Sequence, residues 1–162
     1  MFTGLDEEKE TLKEKIPTGD GFQFVIEAKL VLEDLQIGSS IAVNGCCLTV
    51  VKITGNTFAV DTMNVNLERP LAADARLGGH FVLGHIDTTG KVEDVKELSN
   101  SHWLTISFPE KFKQYLIYVG SVAIDGVSMT VAELKDNSFS VGIIPHTWKE
   151  TIFADKKIGD TV

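Results

Sequence analysis

The chain has 162 residues, 43% of them hydrophobic, and carries a formal net charge of −8. At this length it can bury roughly two thirds of its unfolded surface, which is enough for one ordinary domain or two small ones. Its acidic balance, without a long run of Lys or Arg, argues against nucleic acids and anionic membranes as partners. No stretch approaches the roughly 20 apolar residues that cross a bilayer, and residues 1–4 do not resemble a leader, so we expect a cytoplasmic protein.

The two cysteines, Cys46 and Cys47, are adjacent in the sequence. A disulfide between neighbouring residues would close a strained ring, so we expect two thiols in a reducing compartment. Vicinal cysteines are not the usual spacing of zinc ligands, and the histidines lie far off in sequence. The sequence therefore predicts no metal site.

Taken in chain order, the apolar segments are short runs of β-branched and aromatic residues, separated by Gly, Asn and Asp. This pattern is typical of an all-β protein. Helical periodicity is weak, and a turn or two of helix is expected only at residues 31–35 and 110–115. The predicted strands are residues 22–27, 40–43, 48–53, 57–61, 103–108, 121–124, 129–133 and 138–144.

One segment of the sequence occurs twice. Residues 40–50, SIAVNGCCLTV, recur as residues 121–131, SVAIDGVSMTV, at an offset of 81. Each copy contains a turn signal, Asn44-Gly45 or Asp125-Gly126, of the kind that joins antiparallel strands. Such a meander protects its edges best by closing into a barrel, and a duplicated sandwich is the alternative. The sequence therefore predicts two tandem copies of one small β-barrel.

The beginnings of the two copies also correspond. Residues 2–5 match residues 82–85 at an offset of 80, so one residue was gained or lost before the better-matched block. The boundary between the copies falls near residues 77–79. We expect an N-terminal domain at residues 1–78 and a C-terminal domain at residues 79–162.

The copies differ after Met63 in the first and Ile144 in the second. If Asn64-Val65 matches Thr161-Val162, the offset rises from 81 to 97, so the first copy lacks 16 residues that the second has. Either the first barrel is short of a strand, or the printed sequence omits a segment between Met63 and Asn64. We favour an omission, because a barrel without one strand exposes an edge.

Several blocks resemble the signature blocks of the riboflavin synthase family. The resemblance covers nearly the whole chain in order, and it is specific because the blocks occur together. The blocks are Met1-Phe2-Thr3-Gly4, residues 40–50, Asn66-Leu67-Glu68-Arg69, Gly78-Gly79-His80 with Gly84-His85, residues 125–131 and Ile144-Pro145-His146-Thr147.

The resemblance implies two six-stranded Greek-key barrels, a homotrimer and an enzyme that joins two identical substrates. In this family each barrel holds one 6,7-dimethyl-8-ribityllumazine, and a four-carbon unit passes between the two to give riboflavin and a ribitylamino-pyrimidinedione. The family requires no metal or organic cofactor, and lumazine synthase is a candidate partner. The duplication then has a chemical reason, because two related pockets bring two copies of one molecule together.

This chemistry needs a proton acceptor, hydroxyl or thiol groups near the ring, and donors to its carbonyl groups. Cys47 stands where the second copy has Ser128; a thiol is the stronger nucleophile, although a buried Cys also serves as a small hydrophobe. The imidazole of His85 suits proton transfer near neutral pH, and His80 is a weaker candidate. The candidate catalytic residues are Ser40, Cys47, His85, Ser128 and Thr130.

The walls of the two pockets follow from the matching blocks. Gly4 and Gly84 let main chain approach a flat ring closely. Cys46 is expected in the core, and His102 in a solvated surface loop. The expected substrate contacts are Gly4, Leu5, Asp6, Cys47, Leu48, Thr49, Asp61, Thr62 and Met63 in the first pocket, and Gly84, His85, Ile86, Val119, Ser128, Met129, Thr130, Gly142, Ile143, Ile144, Pro145, His146 and Thr147 in the second.

Three departures from the family bear on activity. Val119 replaces a lysine that contacts ligand in the family, the first copy lacks its segment, and the chain ends at Val162, before the family's final strand and C-terminal helix. The main alternative is therefore a non-catalytic lumazine or flavin carrier. Such carriers lose the hydroxyl groups of the second pocket, whereas Ser128 and Thr130 are present here. A reductase barrel is disfavoured, because no Gly-rich phosphate loop follows a strand.

Overall fold

The computed structural model describes residues 1–18, 21–60 and 65–162. Over these residues the chain is mostly β-strand with little helix, and the strand pairs are antiparallel, as the sequence predicts. It divides into two units. The first unit comprises Met1–His85 with Asp125–Val127, and the second comprises Ile86–Ile124 with Ser128–Val162.

Short strands separated by tight turns build the first unit. They are β1 (Glu8–Glu10), β2 (Leu12–Thr18), β3 (Gly21–Glu27), β4 (Ser40–Val43), β5 (Cys46–Thr49), β6 (Ile53–Thr54), β7 (Thr57–Ala59) and β8 (Val65–Glu68). One sheet has the strand order β1-β8-β4-β5 and another has the order β2-β3-β7-β6. A 3-10 helix at Val31–Glu33 follows β3. The non-sequential neighbours β8 and β4 show that the chain crosses over rather than forming a simple meander.

Apolar residues of these strands, of the 3-10 helix and of the adjoining connections make the core of the first unit. Strand β4 is buried on both faces, because Ile41 and Val43 face the main core whereas Ala42 packs with Phe2 and Val82 in a smaller cluster. In the order β1-β8-β4-β5, strand β4 also has a neighbour on each side, so it lies inside the sheet. The main core consists of Ile26, Ala28, Val31, Leu35, Ile41, Val43, Val50, Phe58 and Leu67.

The second unit is built around one five-stranded sheet. Its strands are β9 (Lys91–Leu98), β10 (Ser101–Ser107), β11 (Ser121–Ile124), β12 (Val127–Leu134) and β13 (Ser138–Ile143), in the order β11-β12-β13-β10-β9. A 3-10 helix at Glu110–Tyr115 precedes β11. After β13 come the short helix α1 (Pro145–Glu150) and a 3-10 helix at Ile152–Asp155. Leu104, Val131, Val141 and Ile143 are fully buried in its core.

Both predicted hairpin turns are present. Asn44 and Gly45 have φ angles of 48° and 77°, and Asp125 and Gly126 have φ angles of 48° and 93°. Two consecutive residues with positive φ define the type I′ turn, which explains the Asn-Gly and Asp-Gly sequences. The two copies thus turn in the same way at equivalent positions.

The backbone pairing of the two C-terminal segments also supports the sequence match between Val65 of the first copy and Val162 of the second. Val65 lies opposite Glu10 in the antiparallel pair of β8 with β1. In the second unit, Val162 and Gly90 exchange backbone hydrogen bonds of 2.9 and 3.1 Å. Glu10 and Gly90 are 80 residues apart, which is the offset of the two N-terminal blocks. Val65 and Val162 therefore occupy equivalent places in the two copies.

Four strands and one helix differ from the sequence-based expectation. Strands β1, β2, β8 and β9 were not predicted: β1, with sequence EKE, has no apolar residue, and the apolar residues of the other three are few and interrupted by polar or charged ones. The run predicted at residues 48–53 is broken, since β5 begins earlier, at Cys46, and ends at Thr49. Helix α1 was also not predicted; six residues are too few for a helical period to be recognised.

Candidate active site

Four of the predicted first-pocket residues lie on the hairpin of β4 and β5: Ser40, Cys47, Leu48 and Thr49. Ser40 is the direct cross-strand partner of Thr49, and Ala42 is the partner of Cys47. Directly opposed residues of an antiparallel pair share one face of the sheet. Leu48 has the opposite orientation and packs against the main core. A hydroxyl pair and a thiol therefore share one face of this hairpin, and the side chain of Leu48 does not.

Cys47 contacts a segment of the second copy. Its backbone N–H donates to the carbonyl oxygen of Gly84 at 2.8 Å. Its half-buried side chain packs against the small cluster of Phe2, Ala42 and Val82. Gly84 has a φ of 83°, and a Cβ on it would lie 2.6 Å from the Cβ of Cys47. Only glycine fits there, so the glycine of the Gly84-His85 block is explained by the close approach of Cys47.

Cys46 is half-buried rather than in the core, contrary to the expectation for this residue. The alternation of β5 puts it on the other face from Cys47. The two thiols are thus separated by the sheet, and Cys47 is the one that faces Ala42.

The N-terminal segments of the two copies pair with each other. Phe2 and Val82 exchange backbone hydrogen bonds of 2.8 and 3.0 Å in an antiparallel bridge. These residues are equivalent in the two copies, since they are 80 apart. A residue that pairs reciprocally with its own counterpart lies on a local two-fold axis. The first unit therefore contains a two-fold arrangement of equivalent segments.

Glu68 is a buried carboxylate that sequence analysis did not single out, although it belongs to a recognised block. It is 5% exposed and accepts hydrogen bonds from the backbone N–H of Thr3 at 2.6 Å, from the Thr3 hydroxyl at 2.7 Å and from the N–H of Gly4 at 3.0 Å. Three donors compensate the burial of one negative charge. Glu68 thus fixes the main chain at Thr3 and Gly4, which are positioned next to the predicted contacts Leu5 and Asp6.

Asp6 is half-buried and directs one carboxyl oxygen away from solvent. Its Oδ2 atom is buried and has no hydrogen-bond partner among the described residues. Burial, followed by the negative charges of Glu68 and Asp125, raises the pKa of Asp6 to about 8. A Cβ on Gly126 would lie 3.3 Å from Asp6 Oδ1, so the carboxyl group is adjacent to the second turn. At neutral pH this side chain is protonated and uncharged.

The two histidines of the Gly-rich segment have different surroundings. His80 is half-buried, and its backbone N–H donates to the carbonyl oxygen of Thr3 at 2.8 Å. Burial lowers the pKa of His80, and the charge of Glu68 acts in the opposite direction. His85 and Ile86 are exposed. The structure therefore brings His80, rather than His85, to the buried carboxylate.

The predicted residues of β12 alternate between its two faces. Ser128 is half-buried and Thr130 is exposed, whereas Met129 and Val131 between and after them are buried. Ser128 and Thr130 consequently lie on the face of β12 that points away from its core, and this face is equivalent to the face of β5 that carries Cys47 and Thr49. The side chain of Met129 belongs to the core of the second unit.

Val119 has an unusual backbone conformation. Its φ is 63°, a region that β-branched residues strongly disfavour. Its N–H donates to the carbonyl oxygen of Val131 at 2.9 Å, and its side chain is 64% exposed. Ile117 and Tyr118 beside it are similarly exposed. The loop before β11 therefore presents a row of apolar side chains that the sequence analysis did not identify.

The end of β13 and the start of α1 carry the remaining second-pocket residues. Gly142 is exposed and lies opposite Trp103, whose ring is 3.8 Å from the place of a Cβ on Gly142. Ile143 is fully buried, whereas Ile144 is exposed. Pro145 and His146 are exposed, and Thr147 is half-buried. Of these predicted contacts, Ile143 directs its side chain away from solvent.

His102 was expected in a solvated surface loop, but this expectation is wrong. It lies in β10, opposite Ile143 of β13 and Glu97 of β9. Its ring stacks on that of Trp148 of α1, with ring centroids 3.9 Å apart and an interplanar angle of 4°. The strand was predicted only from residue 103 onward, whereas it begins at Ser101 and so includes His102.

Asp61, Thr62 and Met63 lie outside the described residues. Within residues 1–18, 21–60 and 65–162, no cluster of three or more His, Cys, Asp or Glu is arranged to hold a metal ion. No helix among the described residues is long and apolar enough to span a bilayer.

Comparison with known proteins identifies the same two copies. The model of the family described as "Lumazine binding domain" matches residues 3–80 and again residues 83–162. The chain is 43% identical to the riboflavin synthase of Actinobacillus pleuropneumoniae and 39% identical to that of Bacillus subtilis, in each case over 100% of this chain and 83% of the relative. It is 37% identical to the riboflavin synthase of Schizosaccharomyces pombe, over 100% of this chain and 86% of the relative.

The alignments bear on the segment missing from the first copy. The alignment with the Actinobacillus protein spans 178 positions, whereas this chain has 162 residues. The surplus of 16 positions equals the length that comparison of the two copies assigned to the missing segment. The relatives therefore have residues that this sequence lacks.

Solved structures show the same fold. The chain superposes on LumP complexed with 6,7-dimethyl-8-(1'-D-ribityl) lumazine with a TM-score of 0.88 and 23% identity. It superposes on LumP complexed with riboflavin with a TM-score of 0.91 and 22% identity. Both matches cover 100% of this chain and 97% of the solved chain.

Proposed function

Because the chain belongs to the lumazine-binding family, whose model matches both of its copies, we propose that it catalyses the riboflavin synthase reaction. Two molecules of 6,7-dimethyl-8-ribityllumazine react, and a four-carbon unit passes from one to the other. The products are riboflavin and 5-amino-6-(ribitylamino)uracil, so the protein is a transferase. Atoms balance between two substrates and two products, and no oxidant or reductant is consumed.

The observation that carries this proposal is the equivalence of β5 and β12. Each presents a reactive or hydroxyl side chain followed two residues later by a threonine, Cys47 with Thr49 and Ser128 with Thr130, on its outward face. A pocket that only encloses a flat ring needs no such pair. The reaction needs polar groups beside both rings, because one ring loses a proton from its C7 methyl group and the other is attacked at C7.

The two pockets have different chemistry in this proposal. Cys47 supplies a thiol that adds to one lumazine or positions it, and Ser128 supplies a hydroxyl to the other. Ser40, opposite Thr49, extends the polar face of the first pocket. His85 is exposed and free to accept the methyl proton from a bound substrate.

Main chain and apolar side chains complete the pockets. The remaining walls of the first pocket are Gly4, Leu5, Asp6, Leu48, Asp61, Thr62 and Met63. Those of the second are Gly84, Ile86, Val119, Met129, Gly142, Ile143, Ile144, Pro145, His146 and Thr147.

The assembly follows from the same proposal. Residues 1–78 and 79–162 are the two lumazine-binding domains, a division that the two matches of the family model support. The functional form is a cytoplasmic homotrimer, and lumazine synthase, which makes the substrate, is a candidate partner. Riboflavin and the ribityl-lumazine are the small-molecule ligands; LumP has been crystallised in complex with each of them.

A lumazine or flavin carrier of the same fold is the second candidate. Its support is the superposition on LumP and the presence of an apolar residue, Val119, where the family has lysine. Retention of Ser128 and Thr130 favours the enzyme. A carrier would bind the lumazine tightly and return it unchanged.

The experiment that separates the two candidates is incubation of purified protein with 6,7-dimethyl-8-ribityllumazine. Riboflavin is followed by its absorbance and fluorescence, and bound lumazine is measured in parallel by equilibrium dialysis. We expect riboflavin without any added cofactor. Binding without riboflavin formation would establish the carrier instead.

Two cysteine variants test the assignment of Cys47. Cys47→Ser should lower kcat about tenfold or more, because it replaces the thiol of the first pocket. Cys46→Ser is the matched control, since Cys46 is the neighbouring, half-buried thiol on the other face of β5. Equal kcat values for the two variants would contradict a role for Cys47.

A further inference from the structure

Helix α1 has little to hold it in place by itself. It comprises six residues, Pro145–Glu150, and none of them is buried. Isolated helices shorter than about 12 residues are marginal in water, so the position of α1 depends on contacts with the rest of the fold. Its ends are tethered, because Ile143 before it is fully buried and Ile152 after it is 3% exposed. Its body has to be fixed by something else.

The stack of His102 on Trp148 supplies that contact. The rings are 3.9 Å apart and within 4° of parallel. His102 is fixed on a ladder with a strand on each side, since it pairs with Ile143 of β13 and with Glu97 of β9. Trp148 is on the helix, and its backbone N–H donates to the carbonyl oxygen of Ile144 at 3.0 Å, so the residue that carries the ring is tied to the first turn.

We propose that His102 is a positioning residue for the second pocket: its ring holds Trp148, and with it the first turn of α1, against the sheet. This inference rests on the proposed function, because that turn carries Pro145, His146 and Thr147 as substrate contacts. His102 itself does not touch the substrate. It acts through the helix.

The ring face of His102 carries this role, and its nitrogen atoms do not. Nδ1 of His102 is buried and has no hydrogen-bond partner among the described residues. A buried polar atom without a partner costs stability, so a phenyl ring of similar shape can replace the imidazole without loss. His102→Phe therefore keeps the stack, and His102→Ala removes it.

Amide hydrogen exchange measures the position of α1 directly. In His102→Ala, the amides of Trp148 and Thr151, which donate to Ile144 and Thr147, should exchange about 3 to 10 times faster, the range that one aromatic stack accounts for. The amides of the β10–β13 ladder should stay as protected as in the wild type. His102→Phe should restore slow exchange at Trp148 and Thr151.

Lumazine binding tests the link to the site. The Kd for 6,7-dimethyl-8-ribityllumazine should rise about 3- to 10-fold in His102→Ala and stay within about twofold of the wild type in His102→Phe. Lys149→Ala is the matched control, since Lys149 is an exposed residue of the same helix. It should leave both exchange and Kd unchanged.

Two results would overturn the proposal. One is an unchanged rate of amide exchange at Trp148 and Thr151 in His102→Ala. The other is exchange at these two amides that is as fast in His102→Phe as in His102→Ala. If the wild type neither binds lumazine nor forms riboflavin, the proposed function fails, whereas the exchange result still decides whether His102 holds α1.

Discussion

Gly45 and Gly126, equivalent residues of the two copies, lie backbone against backbone. A Cβ on Gly45 would be 2.8 Å from the amide nitrogen of Gly126, and a Cβ on Gly126 would be 2.8 Å from the amide nitrogen of Gly45. Together with the reciprocal pairing of Phe2 and Val82, this contact gives the first unit a local two-fold arrangement. A protein that joins two copies of one substrate is well served by such an arrangement, since proximity of equivalent segments is part of the chemistry.

Replacing Gly126 with Ala tests this contact. The new methyl group would clash with Gly45 and would also strain a backbone with φ of 93°. We expect the free energy of unfolding to fall by about 2 to 4 kcal/mol, measured by urea denaturation.

Gly38→Ala is the matched control for Gly126→Ala. Gly38 has nearly the same φ, 92°, but no atom lies within 4 Å of its Cβ position. Only backbone strain remains, which costs about 1 kcal/mol. If both variants lost the same stability, the close contact between the two turns would be disproved.

Asp6 makes stability depend on pH. Its pKa is 3.8 when the chain is unfolded and about 8 in the folded protein, so the folded state binds the proton more tightly. The stabilisation from this group is complete below pH 4 and is lost as the pH rises towards 8. Between pH 7 and pH 8 the free energy of unfolding should fall by roughly 1 kcal/mol, as followed by urea denaturation at each pH.

Asp6→Asn is the variant that isolates this effect. The amide resembles the protonated carboxyl group in shape and carries no charge near Glu68 and Asp125. The difference in stability between Asp6→Asn and the wild type should therefore grow as the pH rises from 7 to 8. A difference independent of pH would mean that Asp6 is ionised throughout this range.

Glu68 is expected to be essential for the conformation of the N-terminal segment. Glu68→Gln removes the negative charge and directs an NH₂ group towards donors of Thr3 and Gly4, so about 2 to 3 kcal/mol of stability should be lost. Glu14→Gln, at an exposed position of β2, should change stability by less than about 0.5 kcal/mol. Thermal unfolding of both variants provides the measurement, and equal melting temperatures would refute this role.

Val119 gives a prediction that separates strain from charge. Val119→Met removes the β-branch at a φ of 63° and should raise stability by about 1 kcal/mol. Val119→Lys should do the same and, in the proposed function, also lower the Kd for the lumazine by adding an ammonium donor. The Kd is measured by equilibrium dialysis. If Val119→Lys and Val119→Met have the same Kd, a lysine at this position does not contribute to lumazine binding.

The repeat made most of the fold predictable. Short runs of β-branched and aromatic residues predicted β3, β4, β7, β10, β11, β12 and β13, and the Asn-Gly and Asp-Gly pairs predicted both hairpin turns. Strand β9 was missed because its sequence, KVEDVKEL, buries only Val92 fully and otherwise exposes charges. Strand β2, with sequence LKEKIPT, was hidden by the same pattern.

The candidate site was predictable only in part. Cys47, Ser128 and Thr130 were chosen as candidates because each copy supports the other at these positions, and their roles stay predictions. The contact of Glu68 with Thr3 joins residues 65 apart, and no local pattern reports such a partner. His102 was misassigned for the same reason, since its stacking partner, Trp148, lies on a helix too short to be recognised.

The stoichiometry of turnover tests the central claim most directly. Purified protein is incubated with 6,7-dimethyl-8-ribityllumazine alone, and the lumazine consumed, the riboflavin formed and the 5-amino-6-(ribitylamino)uracil formed are quantified by chromatography. A transfer between two identical substrates predicts that two lumazines disappear for each molecule of either product. Lumazine that stays bound and unchanged, or riboflavin that forms without the pyrimidine product, would contradict it.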